Sequence, residues 1–308
     1  MINEPASTEE EHVIFGVRAR QRKRWLSVSV RGVAGTQRSA TSAEVESAAK
    51  RLIDNDANSG TRPRKLVRVR QMALADFKEQ QEAGLDAPHV AQLNAMIRRL
   101  TKSGPAPVPF ISPYHGGADA RVLTLLRDPG PKADATKGSG YLCIQNDDPS
   151  AESQALQFAA AGIEPSDVTP WNAYPWYINR APTPNELGFG ADALASLLEI
   201  TPEVSVIMLQ GVDAKKGWSV FRTRHRELIE DRKLSVVGTC HPSPQALFHP
   251  DPEVQARRYK HRMHTAAEVA AILRGDLQVS QGRYERIDGQ PPQPTRYLPP
   301  VYGAPAIT

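Results

Sequence analysis

Three polar residues, each at the close of an apolar run, are the groups of this chain best suited to chemistry. Asp128 follows "ARVLTLLR", Asn172 lies in "SDVTPWNAYPW", and His241 lies in "LSVVGTCHPSPQALFHP". A carboxylate can stabilise a developing cation or orient a water, and an imidazole can donate to an oxygen on which negative charge builds. A side-chain amide offers both a donor and an acceptor. Tyr141, in "GSGYLC", adds an aromatic face, and Ser243 a hydroxyl. Pro242 and Pro244 lock φ and remove two donors, as a loop that holds an imidazole at the mouth of a sheet requires. Together these are the pieces needed to grip and activate a heteroaromatic base. Taken singly, each also fits a plainer role: Asp128 as a turn cap before Pro-Gly, Asn172 satisfying backbone at a bulge, Tyr141 as a core aromatic, His241 as a satisfied histidine in a proline turn. Their coincidence favours chemistry.

The elements that must position them alternate strand and helix. Apolar runs at 120–128, 166–176, 204–211 and 234–241 read as strands covered on both faces. Helices are expected at 148–162, with Asp148 as cap, Pro149 in the first turn and Gly162 as stop; at 185–200; over "KKGWSVFRTRHRELIE"; and at 265–275. This alternation predicts an α/β fold with a parallel four-stranded sheet flanked by helices on both faces. Ligands in such sheets bind beyond the carboxyl ends of the strands. Three exits carry the polar residues above; the third, "QGVDAKKG", has less to offer. Upstream, residues 12–33 read as a basic β-hairpin and 41–53 as a short helix. "LADFKEQQEAG" and "APHVAQLNAMIRRLTKSG" read as helices closed by Gly84 and Gly104. The proline-rich stretch 104–117 suggests a boundary between an α+β extension (1–104) and the sheet domain (105–275), with a proline-rich, extended tail (276–308).

Composition restricts the classes further. The chain has 308 residues, 40% hydrophobic and 23% charged, as in an ordinary globular protein. No apolar run is long enough for a membrane helix, and "MINEPASTEEEHV" lacks the order of a secretion signal. Two cysteines are too few for a disulfide framework or a four-thiolate cluster. A reducing cytoplasm is therefore expected, with no metal, iron–sulfur cluster or other cofactor, and a monomeric chain. Of the net charge of +4, residues 1–100 carry a surplus of 5, from 17 Lys+Arg against 12 Asp+Glu. Basic clusters at 18–24, 62–70 and 257–262 suit a polyanion such as DNA. No G-x-G-x-x-G follows the first strand and no G-x-x-x-x-G-K-[ST] loop is present, which disfavours dinucleotide and triphosphate sites.

In order and position, "LLRDPGP", "GSGY", "WNAYPW" and "HPSP" resemble the motifs of the uracil-DNA glycosylase superfamily, over roughly residues 105–275. The resemblance implies a monofunctional DNA glycosylase that flips uracil or a modified base out of the duplex and hydrolyses its N-glycosidic bond. It implies Asp128 and His241 as catalytic residues, with Tyr141 stacking on the base and Asn172 reading it. Arg127, Pro242, Ser243, Pro244, Leu247, Arg257, Arg258 and Lys260 would touch DNA. Gly130 stands where the best-studied uracil enzymes have a bulky tyrosine, so a wider pocket is expected. Arg127 replaces a glutamine or glutamate of several families, and Gln245-Ala246 occupies the ground of a leucine wedge, leaving Leu247 or Phe248 for that part. The alternative is a protein of the same fold that grips damaged or modified DNA without chemistry.

Overall fold

The computed structural model describes residues 67–280 and the short strands at 18–21, 24–27 and 283–286. Strands β1 (Arg18–Gln21) and β2 (Arg24–Ser27) pair antiparallel as the hairpin expected within 12–33. The helix expected at 41–53 lies outside the described residues. Helices α1 (Ala75–Ala83) and α2 (Pro88–Ser103) follow, ending at Gly84 and Gly104. Next come β3 (Phe110–Ile111), β4 (Val122–Leu126) and β5 (Tyr141–Leu142), then α3 (Pro149–Ala161) and β6 (Val168–Asn172). The chain continues through α4 (Pro184–Ile200), β7 (Val206–Gln210), α5 (Val212–Arg224), α6 (Arg226–Arg232) and β8 (Ser235–Thr239). It closes with α7 (Pro244–Leu247), α8 (Pro252–Leu273) and an antiparallel pair, β9 (Leu277–Ser280) and β10 (Arg283–Arg286).

The fold is α/β. Four parallel strands form one sheet in the order β6-β4-β7-β8, with Leu126 level with Asn172 and Gln210 level with Thr239. Side chains alternate across a strand, and the core divides accordingly. Leu123, Leu125, Trp171, Ile207 and Leu209 pack with α2, α4 and α5. Val122, Val168, Val206, Met208 and Val237 pack with α3 and α8. Both faces are therefore covered, which is why the strands read as continuous apolar runs. A two-stranded parallel pair, β3 with β5, lies apart from this sheet and was not expected.

The core runs across the boundary expected at 104/105. Val90, Leu93, Met96 and Ile97 of α2 share one cluster with the sheet residues, and Phe77 of α1 packs with Tyr141 and Cys143, so both helices contact residues beyond that boundary. An amphipathic helix buries its apolar stripe on whatever is adjacent, and a proline-rich connector does not prevent that: Val108 within it is itself buried. Two helices also differ from expectation. The one expected over residues 215–230 breaks at His225 into α5 and α6. The last begins at Pro252, not Thr265, where the Asp251 carboxylate accepts from Glu253 N at 2.8 Å.

Helix ends fix the strand exits. Asp148 accepts from Ser150 N and Ala151 N at the start of α3, and Gly162 ends it at φ 77, in the left-handed region that favours glycine. Thr183 and Glu186 form a reciprocal capping box at the start of α4. α4 and α5 close on Ala173, just after β6, through glycines: a Cβ on Gly190 would stand 1.8 Å from the Ala173 carbonyl oxygen. Only glycine permits that approach, and it anchors the turn leaving Asn172.

Candidate functional site

The strand exits enclose one cavity of about 750 Å³, within the range of small-molecule sites. Asp128, Gly130, Asn172, Gln210, His241 and Ser243 line it, together with Arg127, Pro242, Asp148 and Gln154. Residues from β4, β6, β7 and β8 thus meet beyond the carboxyl ends of the sheet, where such folds hold ligands.

Asp128 is buried and held from two sides. Its Oδ1 accepts from Arg127 Nε at 2.5 Å, and its Oδ2 accepts from Asn179 N at 2.7 Å and Ile178 N at 3.2 Å. The loop after β6 supplies those N–H groups, with Asn179 at φ 51. Arg180 ties that loop to α4 by a two-pronged pair with Glu186, at 2.6 and 2.8 Å. Hydrogen bonding to Arg180 holds the Glu186 carboxyl down to about 2. The capping box of α4 therefore reaches, through Arg180, the backbone that orients Asp128.

His241 is tuned towards the neutral form. Burial first, then the charges of Arg262 and Arg127, push its imidazole down to about 4, against the opposing pull of Asp128. Ser243 N donates to Nδ1 at 3.1 Å, so the neutral ring carries its proton on Nε2. That proton is a donor that costs no net charge inside a half-buried site.

Arg262 builds this loop, a part that its place in a basic cluster conceals. Within the basic cluster 257–262 it reads as a solvated charge, yet it is 2% exposed. Its guanidinium donates to the carbonyls of His241, Pro242 (3.0 Å) and Ser243 (3.2 Å), and to Ser153 Oγ (3.0 Å). A planar fork with several donors suits three successive carbonyls. The signal was present in the spacing: Arg262, Ala266, Val269 and Ala270 fall on one helical face, and the last three belong to the core. Arg258 also turns to this loop, donating to Phe248 O at 2.8 Å. Arg257 and Lys260 are exposed on the same helix. Pro244 is exposed and Leu247 half-buried, while Phe248 is 67% exposed.

Tyr141 does not join the group. It is buried with Met72, Leu74, Phe77 and Cys143, and the cavity wall at that point is Leu142, Cys143, Ile144 and Asn146. The ring of Tyr141 packs instead with Phe77 of α1. Gly130 is open: a Cβ there would meet nothing within 4 Å.

Two amides were missed. Gln154 of α3 and Gln210 at the end of β7 both line the cavity, and Gln154 Nε2 donates to Gln210 Oε1 at 2.5 Å. The exit of β7 was judged by its loop, whereas its last strand residue carries the polar group. Gln210 Nε2 and Asn172 Oδ1 are buried with no hydrogen-bond partner. Among the described residues no group of three or more His, Cys, Asp and Glu could hold a metal ion, and no helix is long and apolar enough to cross a membrane.

No protein-family model matches this chain, and no curated protein matches it. The reading of the site therefore rests on the motifs and the geometry.

Proposed function

We propose that the protein is a DNA glycosylase of the uracil-DNA glycosylase type, removing uracil or a modified base and leaving an abasic site. One observation carries the reading: a carboxylate, an amide and a neutral imidazole from three strand ends line a single cavity. In the proposed reaction the base leaves the duplex, at a cost of about a few kcal/mol, to enter that cavity. Asn172 reads its edge. As the base–sugar bond lengthens, positive charge grows on the sugar and Asp128 opposes it or orients the attacking water. Negative charge grows on the base oxygen, and His241 meets it with its Nε2–H. The bond electrons leave with the base, and water supplies hydroxide to the sugar carbon and a proton to the products. The proposed nucleophile is water and not an amine, so strand cleavage is not part of the proposed reaction.

The openness at Gly130 supports a base larger than uracil. In this reading Arg257 and Lys260 on α8 provide charge for the phosphates, and Phe248, which is 67% exposed where Leu247 is half-buried, is proposed to fill the gap left by the flipped base. Formation of abasic sites on DNAs carrying uracil or bulky modified pyrimidines, in single and double strands, tests the reading. Asp128→Asn is expected to lower the rate at least about 100-fold while DNA affinity persists. A parent chain that binds these DNAs without releasing any base defeats the enzyme reading in favour of a non-catalytic DNA-binding protein.

A further inference from the structure

Asn172 and Gln210 end two strands of the sheet with β4 between them. Leu126 is level with Asn172, and Leu125 with Leu209, so the two amides stand at the same height. Asn172 lies four residues beyond Val168, and Gln210 four beyond Val206, so both project from the sheet face whose apolar part packs on α3 and α8. Both are at most 2% exposed. Each presents one unpartnered polar atom, Oδ1 on Asn172 and Nε2 on Gln210, and both residues line the cavity. Gln154 fixes the sense of the second amide. Because its Nε2 donates to Gln210 Oε1, the Gln210 nitrogen is left as the free end. A buried donor without a partner costs about 1–3 kcal/mol, which a ligand oxygen would offset.

We infer that Gln210, oriented by Gln154, is a second base-reading residue that donates to an oxygen of the ligand while Asn172 accepts from an N–H of the same ring. The inference deepens, and rests on, the nucleobase reading of this cavity. Strands about 4.8 Å apart place the two Cα atoms about 10 Å from each other, with Leu126 of β4, which also lines the cavity, level with both and between them. A flat six-membered heterocycle over Leu126 is of the size to reach both amides through hydrogen bonds of about 2.9 Å. A pyrimidine with a carbonyl oxygen on one side and an N–H on the opposite side of the ring, such as the exocyclic amine of cytosine or N1–H of free uracil, satisfies both amides at once. Gln210 also explains what the β7 exit contributes to the site.

Titration of the full chain with free uracil and with free cytosine, followed through the side-chain amide signals of Gln210, tests this without requiring turnover. Gln210→Leu identifies those signals by their loss. In the parent, one or both bases are expected to move them. Gln210→Glu keeps the shape and the bond from Gln154 but replaces the donor by an acceptor, so binding is expected to weaken about 10-fold to 100-fold. Gln154→Leu, which frees the amide to turn, is expected to give a smaller loss, and the melting temperature of each variant reports any general damage. If neither base moves the Gln210 signals, or if Gln210→Glu and Gln210→Leu bind within twofold of the parent, the inference fails. Cleavage of uracil-containing DNA separates the two levels. An inactive parent whose Gln210 signals respond to a base sinks only the enzyme reading. An active parent whose Gln210 variants keep its kcat/KM sinks only the role of Gln210.

Discussion

Replacing Arg262 by methionine, which keeps much of the volume and removes the charge, probes the connection between the fold and the chemistry. The arginine is buried and bonded to three successive carbonyls and Ser153. Hydrogen bonds from a charged donor contribute about 1.5–3 kcal/mol each, and an unpaired buried carbonyl costs about 1–3 kcal/mol. Pro242 is buried, whereas His241 and Ser243 are half-exposed and can regain water. Release from the burden of a buried guanidinium offsets part of the loss. The net expectation is about 2–4 kcal/mol, and at about 2–4 °C per kcal/mol for a body of this size the melting temperature falls by about 4–16 °C. The charge has a second, separable effect. Facing His241 are Arg262 from α8 and Arg127 and Asp128 from the β4 exit. With Arg262 gone, one of the two cations depressing the imidazole is lost while Asp128 still raises it. The His241 midpoint must then rise from about 4. Proton NMR of the His241 ring across pH 3–8, beside thermal unfolding, measures both effects. A variant that melts within about 2 °C of the parent, with the His241 titration unmoved, refutes the argument that this guanidinium organises the loop.

Other consequences are directly measurable. Phe248→Ala removes an exposed ring that packs little, so stability should change by less than about 0.5 kcal/mol, while base release from double-stranded DNA falls more than release from single strands; equal loss on both would defeat the wedge assignment. Gly130→Ala adds a methyl into open space and should leave stability within about 0.5 kcal/mol of the parent. Gly130→Phe should depress activity on a bulky base more than on uracil, and equal depression argues against a shape filter there. For acid stability, burial holds both His115 and His241 down to about 4 from 6.5. The unfolded chain therefore binds their protons first, and stability present above pH 6.5 is lost as pH falls towards 4, by up to about 3 kcal/mol for each residue. His115→Gln should flatten the urea midpoint over that window; an unchanged pH slope would contradict it.

The four strands were legible because a sheet covered on both faces leaves no polar alternation to confuse the reading, and three of the four runs ended at a residue whose chemistry stood out. The capping of α3 was legible because Asp148-Pro149 and Gly162 act locally. The start of α8 was not, since none of residues 252–261 is buried and they carry no apolar stripe; only the Asp251 cap marks it. Tyr141 was misplaced for a related reason. β5 has two residues, too few for any periodicity, so the spacing of a resembling motif was the only guide, and it said nothing of which way the ring turns. Arg262 illustrates the reverse error. Composition placed it among solvated cations, whereas its spacing from Ala266, Val269 and Ala270 placed it in the core, and packing prevailed. Gln210 was overlooked because polarity was sought in the loops and not in the final strand residue. The errors at Tyr141, Arg262 and Gln210 share one cause. Each concerns the direction of a side chain, which short elements and mixed faces leave undetermined until neighbouring helices are packed. In this fold the residues so determined, Arg262 behind the His241 loop and Gln154 behind Gln210, do not begin the chemistry. They hold the His241 loop and the Gln210 amide at the cavity, so under the proposed function specificity would depend on α3 and α8 as much as on the strand ends.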